Sequence, residues 1–327
     1  MRTARLVVSS VGGAILVKNR GDRESGDFPR LVLEVVPPPL RRGEEGLESR
    51  LQHIGRIHRA VNLDAVNIPE IRAEESKHVD GERRNPYEPR WESRVLGQLI
   101  QDRLGLPAIV NRVVVHASNE ENAAWFRDSF VAFGIRKFVI VGGEKSNATY
   151  PGPSVCEANR LFPRWVSDSA ATFGNISIPG RRSRERVEAA RMADKVAAGA
   201  RFFTTQIIYR ARELTELLDD LKAAGDAVAS TPVLVSLCPL RSRQSIKMLH
   251  FLGVRIDTEL VEKLCRVPER TAEHSVEHIL SVVDEILAHQ RRTNSPTPLG
   301  FNVAPVGPVP VVNTIALCAA LQRLLRT

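Results

Sequence analysis

Eight short apolar runs, each followed by a stretch of helical period, constrain this chain more than any other feature. The runs are LVLEVV (31–36), DAVNI (64–68), AIVNRVVVH (108–116), KFVIVGG (137–143), FGNISI (173–178), RFFTTQII (201–208), PVLVSLCP (232–239) and GFNVAPV (300–306). They are continuous rather than alternating, which marks a sheet covered on both faces. Between them lie stretches such as LESRLQHIGRIHRAV, ENAAWFRDSFVAFG, SRERVEAARMADKVAAG, ARELTELLDDLKAAG and RSRQSIKMLHFLG, several opening at Ser or Asn and stopping at Gly. Eight βα units in about 300 residues is the arithmetic of an α/β protein of the (β/α)8 barrel type. An open doubly wound sheet is the alternative, but no GxGxxG turn follows an early strand. The reading divides the chain into an N-terminal extension, residues 1–28, forming a hairpin, and a barrel over 29–327. Residues 255–292 read as helical throughout, an elaborated seventh crossover. The polar, aperiodic stretch 70–91 reads as a loop on the catalytic face.

Composition narrows the function classes. Hydrophobic residues make up 43% and charged residues 26% of 327, as in a soluble globular protein. The formal charge is +8, yet only 8 of the 46 basic residues are lysine, and the arginines are scattered among acids. That pattern favours a small anionic ligand over nucleic acid. No apolar run approaches the ~20 residues of a membrane helix. Ser9, Ser10, Gly12 and Gly13 interrupt the apolar middle of the first twenty residues, against a signal peptide. The four cysteines, at 156, 238, 265 and 318, have no CxxC or metal spacing, so they read as free thiols in a reducing, cytoplasmic compartment. The cluster HVDGERR (78–84) lacks a repeated ligand spacing, and no metal site is expected. Oligomeric state is not readable; a homo-oligomer is compatible with the sequence.

In a barrel of this type, functional groups project from the C-terminal ends of the strands. Strand 1 offers Glu34, strand 2 Asn67 and Glu70, strand 3 His116, strand 4 Gly142, Gly143 and Glu144, and strand 6 Gln206. A carboxylate inside LVLEVV is unusual: burial raises a carboxyl pKa, the property a proton donor needs at neutral pH. A glutamate paired with an arginine is the plainer alternative. Gly142 and Gly143 permit a close backbone approach, or merely make a tight βα turn. Gln206 supplies a donor and an acceptor suited to the edge of a heterocycle, unless barrel backbone consumes both. His116 is a base or, more plainly, a structural histidine.

The order of these motifs resembles that of the methylenetetrahydrofolate reductase family. LVLEVVPPPLRRGEEGLESRL is similar to the family's strand-1 pattern FEFFPP and the helix after it. NEENAAWFRDSFVAFGIRKFVIVGGE resembles its helix-3 and strand-4 region, ADKVAAGARFFTTQIIYRARELTELLDDL its strand-6 block, and TPVLVSLCPLRSRQSIKMLHFLGVRIDTELVEKL the strand and helix that follow. The likeness runs from about residue 28 to 325, and the strand-6 block is its most specific piece.

The resemblance implies a barrel that reduces 5,10-methylenetetrahydrofolate to 5-methyltetrahydrofolate, with FAD relaying hydride from NAD(P)H. Glu34 then matches the general acid, Gln206 the glutamine that grips the pterin, and Glu144 an aspartate near pterin and flavin; Asn67 joins the substrate site. Lys195 matches a lysine, and Glu188 an aspartate, at the FAD diphosphate. Gly142 stands where the family has an arginine. IPGRRSRE (178–185) replaces a stretch bearing tyrosine and histidine, with Arg181, Arg182 and Arg184 as substitute phosphate contacts. Two other readings stay open: a folate-binding or methyl-transfer component without hydride chemistry, and a barrel acting on another small anion.

Overall fold

The computed structural model describes residues 28–143, 148–181 and 187–326. The N-terminal hairpin expected over residues 1–28 lies, apart from Phe28, outside the described residues. Eight parallel strands close into a barrel in sequence order: β1 (Leu31–Glu34), β2 (Ala65–Ile68), β3 (Ala108–Val113), β4 (Lys137–Val141), β5 (Thr172–Ser177), β6 (Phe203–Thr205), β7 (Val233–Leu237) and β8 (Leu299–Val303). All but β5 are shorter than their apolar runs because the ladder stops where the chain turns toward the next helix.

The crossovers are α1 (Gly43–Val61), α2 (Ser93–Leu104), α3 (Asn119–Val131), α4 (Val155–Trp165), α5 (Glu188–Ala197), the pair α6 (Ala211–Ala224) and α7 (Asp226–Ala229), then α8 (Arg243–Phe251), α9 (Thr258–Leu264) and α10 (Thr271–Thr293), with α11 (Val311–Leu324) after β8. Helix ends follow local chemistry. Ser118 and Ser154 each form a capping box with the glutamate three residues on. Asn62 and Gly105 close α1 and α2 in the left-handed conformation. The segment 255–292 is not one helical run, contrary to the sequence reading. Pro268, which has no N–H to continue a helix, opens a 3-10 turn that divides α9 from α10.

Two apolar layers hold the barrel. Strand residues facing outward pack on the helices, with Phe126, Phe138, Phe162, Trp165 and Phe173 clustered between β4–β5 and α3–α4; Phe126 stacks on Trp165 at 5.5 Å. Inside, Val32, Ala65, Ile109, Val139 and Leu234 fill the lower barrel, with Phe202 and Phe28 beneath them, their rings 6.3 Å apart. Side chains alternate across a strand. The residue two further along each strand therefore points into the upper barrel: Glu34, Asn67, Asn111, Val141 and Ser236. The lower interior is greasy and the upper interior polar, so the fold concentrates its polar groups at one end. No helix among the described residues is long and apolar enough to cross a membrane.

Candidate functional site

Glu34 ends β1 directly opposite Asn67 in the β1–β2 register. Its Oε2 accepts two hydrogen bonds, from Asn67 Nδ2 at 2.8 Å and Asn302 Nδ2 at 2.9 Å. Asn302 comes from β8, the other neighbour of β1, and its second N–H donates to Ser236 Oγ at 3.1 Å. Two amides from flanking strands thus orient one carboxyl. The other oxygen, Oε1, receives no hydrogen bond from the described residues, and the residue keeps partial exposure. This is a carboxyl deep among protein atoms with one oxygen left to face a ligand.

Burial raises the Glu34 pKa above the usual carboxylate range, and the Asn302 and Asn67 amides pull it only part of the way back. No cation among the described residues contributes, and none of them pairs with Glu34 as the arginine-paired alternative requires. A carboxyl with neutral donors and no counter-charge is the environment that keeps a proton toward neutral pH.

The barrel strands carry further unmatched oxygens. Oδ1 of Asn67, Asn111 and Asn302 and Oγ1 of Thr204 are buried with no hydrogen-bond partner among the described residues. A buried acceptor left unmatched costs on the order of 1–3 kcal/mol, so several together mark a surface that donors of a ligand or of water complete. The sequence reading found Asn67 but passed over Asn302, Asn111, Thr204 and Ser236. The available signal was the one that exposed Gln206: a polar side chain inside a strand-like apolar run.

The remaining expected residues are placed as follows. Gln206 follows β6; its Nε2 donates to Leu252 O at 3.2 Å and its Oε1 accepts from Ile207 N at 3.0 Å. Backbone therefore occupies one donor and one acceptor, leaving one of each. Glu70 accepts from Val113 N at 2.7 Å and pairs with Arg112 and Arg72, so it binds β2 to β3 rather than projecting into the mouth. His116 meets the Tyr150 ring edge-on at 5.2 Å. The close approach that Gly143 permits is to that same ring, which a Cβ would overlap; at Gly142 a Cβ would come 3.0 Å from Val155 Cγ2. Glu144, Arg182 and Arg184 lie outside the described residues.

Lys195 and Glu188, the positions that resemble diphosphate contacts, are both committed to protein. Lys195 Nζ donates to Ile176 O at 2.7 Å, and burial lowers its pKa. Glu188 is 2% exposed; it accepts from Ile178 N at 3.1 Å and pairs with Arg181 Nη2 at 2.6 Å. Arg181 is thereby tied to Glu188 as well. The described residues do not fit a flavin diphosphate, because the two cations are turned onto a backbone carbonyl and a buried carboxylate.

Cys238, at the end of β7, is fully buried, and burial pushes its thiol up to about 12, so it is no nucleophile at neutral pH. Outside the barrel, one cluster among the described residues has metal-ligand chemistry: His78 and Asp80 of the β2–α2 connection meet His250 of α8. The spacing argument against a metal in 78–84 did not include His250, which is remote in sequence.

The family model described as methylenetetrahydrofolate reductase matches residues 88–293. That span includes β3 to β7 but not Glu34, Asn67 or Asn302. No curated protein sequence matches the chain. Among solved structures, an uncharacterized Clostridium thermocellum protein that binds two copies of 5-methyl-5,6,7,8-tetrahydrofolic acid superposes with a TM-score of 0.73 at 18% identity, over 90% of this chain and 96% of that one. The spore cortex-lytic enzyme SleL of Bacillus cereus reaches 0.50 at 9% identity, over 90% of this chain and 74% of its own. At such identities the likeness is one of fold.

Proposed function

The chain belongs to the methylenetetrahydrofolate reductase family, and from that premise we propose that it binds a reduced folate in the upper barrel and reduces 5,10-methylenetetrahydrofolate, with Glu34 as proton donor and a reduced nicotinamide as hydride source. The observation that carries this reading is the Glu34 carboxyl, held by two amides, with no compensating cation among the described residues and open at Oε1.

The chemistry needs such a group. The five-membered ring of the substrate opens only when N10 takes a proton; the C–N bond then breaks and leaves an N5 iminium. Hydride added to the iminium carbon gives the 5-methyl product, and the nicotinamide leaves oxidised. Glu34 gives up its proton in the first step and regains one from solvent. The buried acceptors of Asn67, Asn111, Asn302 and Thr204 suit the donor-rich edge of a reduced pterin, which carries ring N–H groups and an amino group. Gln206 keeps one donor and one acceptor for the same ring. Asn67 holds the acid and also presents its Oδ1.

The family's FAD is not used in this scheme, since Lys195, Glu188 and Arg181 do not fit its diphosphate. Gly142, Gly143 and Arg182 remain the other positions at which a phosphate-bearing dinucleotide would be sought. A second reading, folate binding without reduction, draws support from the commitment of Lys195, Glu188 and Arg181 to protein and from the C. thermocellum protein's ligand. The test is an anaerobic assay of flavin-free protein with NADH or NADPH and 5,10-methylenetetrahydrofolate. Consumption of the nicotinamide in step with 5-methyltetrahydrofolate supports the reductase. Tight folate binding with no consumption, with and without added FAD, supports the binder and ends the first reading.

A further inference from the structure

We propose that His78, Asp80 and His250 bind one divalent transition-metal ion of the zinc type, and that this ion clamps the β2–α2 loop onto α8. The inference stands apart from the folate reading and uses none of its residues.

The connection from residue 69 to 92 has almost no regular structure, yet one part of it is pressed against α8. Lys77 N donates to Phe251 O and Glu82 N donates to Lys247 O, both at 3.0 Å. Lys247 Nζ pairs with Glu82 at 2.6 Å, and the Arg83 guanidinium lies 4.8 Å from the Phe251 ring centre. Between the two anchors the chain makes a tight turn, Gly81 N donating to His78 O at 3.0 Å. Gly81 is required there, since a Cβ would lie 2.5 Å from Phe251 N. The turn therefore delivers His78 and Asp80 to the face of α8 that carries His250.

The three side chains offer two imidazole nitrogens and a carboxylate oxygen, all within 4.8 Å of one another. The two histidine rings are 5.2 Å apart. His78 Nδ1 and Asp80 Oδ2 are 3.6 Å apart. With metal bonds of about 2.0–2.2 Å, that separation subtends an angle near the tetrahedral one. His78 Nδ1 accepts from Asp80 N at 3.1 Å, so it carries a lone pair rather than a proton. Asp80 is exposed, and water can take its N–H when a metal takes that lone pair. Two imidazoles and one carboxylate suit a borderline ion such as Zn2+ and not Mg2+, which prefers all-oxygen shells. Water would complete the shell.

The test is equilibrium dialysis of EDTA-treated full-length protein against Zn2+, with bound metal measured by atomic emission, alongside trypsin digestion at Arg83 and Arg84. The wild type is expected to bind one Zn2+ per chain, with a dissociation constant at least tenfold lower than in His78→Ala or His250→Ala. His53→Ala is the folded control and keeps wild-type affinity. Zn2+ should slow cleavage in this loop at least fivefold in the wild type and leave the double variant unchanged. Equal Zn2+ affinity in the wild type and the His78→Ala/His250→Ala double variant would overturn the site. Zn2+ binding that leaves the cleavage rate unaltered would overturn the clamp.

Discussion

At the scale of single residues, Glu34 governs two pH dependences. Its folded pKa lies above the unfolded one because burial penalises the charged form more than the two amides relieve it. Between those two values the native state holds more protons than the unfolded chain, so stability falls as pH rises through the window and stays lower above it. Glu34→Gln removes the ionisation. The variant should melt at a higher temperature than the wild type at neutral pH, with the difference fading as pH falls into the ordinary carboxylate range. Calorimetry across pH would check this; a variant less stable at neutral pH would count against an uncompensated buried carboxyl. Asn302→Ala takes away a donor that favours the charged form. The acid should then hold its proton to higher pH, moving the alkaline limb of the kcat/KM profile upward.

At the scale of elements, the strands were legible because burial on both faces leaves a continuous apolar run that few helices imitate, and all eight runs became strands. The seventh crossover was legible as an elaboration but not in its divisions, which turn on Pro268. Helix α4 is held by its cap: Ser154 accepts from Glu157 N at 3.3 Å while Glu157 bonds back to Ser154 N at 2.8 Å. Ser154→Ala should cost about 1 kcal/mol in urea unfolding. The β5–α5 corner rests on Glu188, which satisfies Ile178 N and Arg181 together. Glu188→Ala strands that amide and should cost about 1–3 kcal/mol by the same measurement. The sequence resemblance placed this residue against a cofactor. In the structure it pairs with Arg181, seven residues earlier, and no periodicity reports such a contact.

For the whole molecule, closure of the barrel puts β8 beside β1 and so brings Asn302 to a carboxyl 268 residues away in sequence. The acid was legible as an isolated charge in an apolar run; its amide partners were not, because only the closed sheet sets which strand ends are neighbours. The same closure separates an apolar lower interior from a polar upper one, where Glu34 and its amide partners meet. The family match supports a folate-related function, and among the described residues Lys195, Glu188 and Arg181 are bonded to protein.

The most direct test of that account compares wild type and Glu34→Gln for two quantities, the affinity for 5-methyltetrahydrofolate and the rate of nicotinamide-dependent reduction of 5,10-methylenetetrahydrofolate. Gln keeps the shape and can still accept from Asn67 and Asn302, so folate affinity should stay within about threefold, while loss of the proton donor should slow reduction by about 10²–10⁴-fold. A variant that reduces the substrate at the wild-type rate would contradict the assignment of Glu34 as the acid.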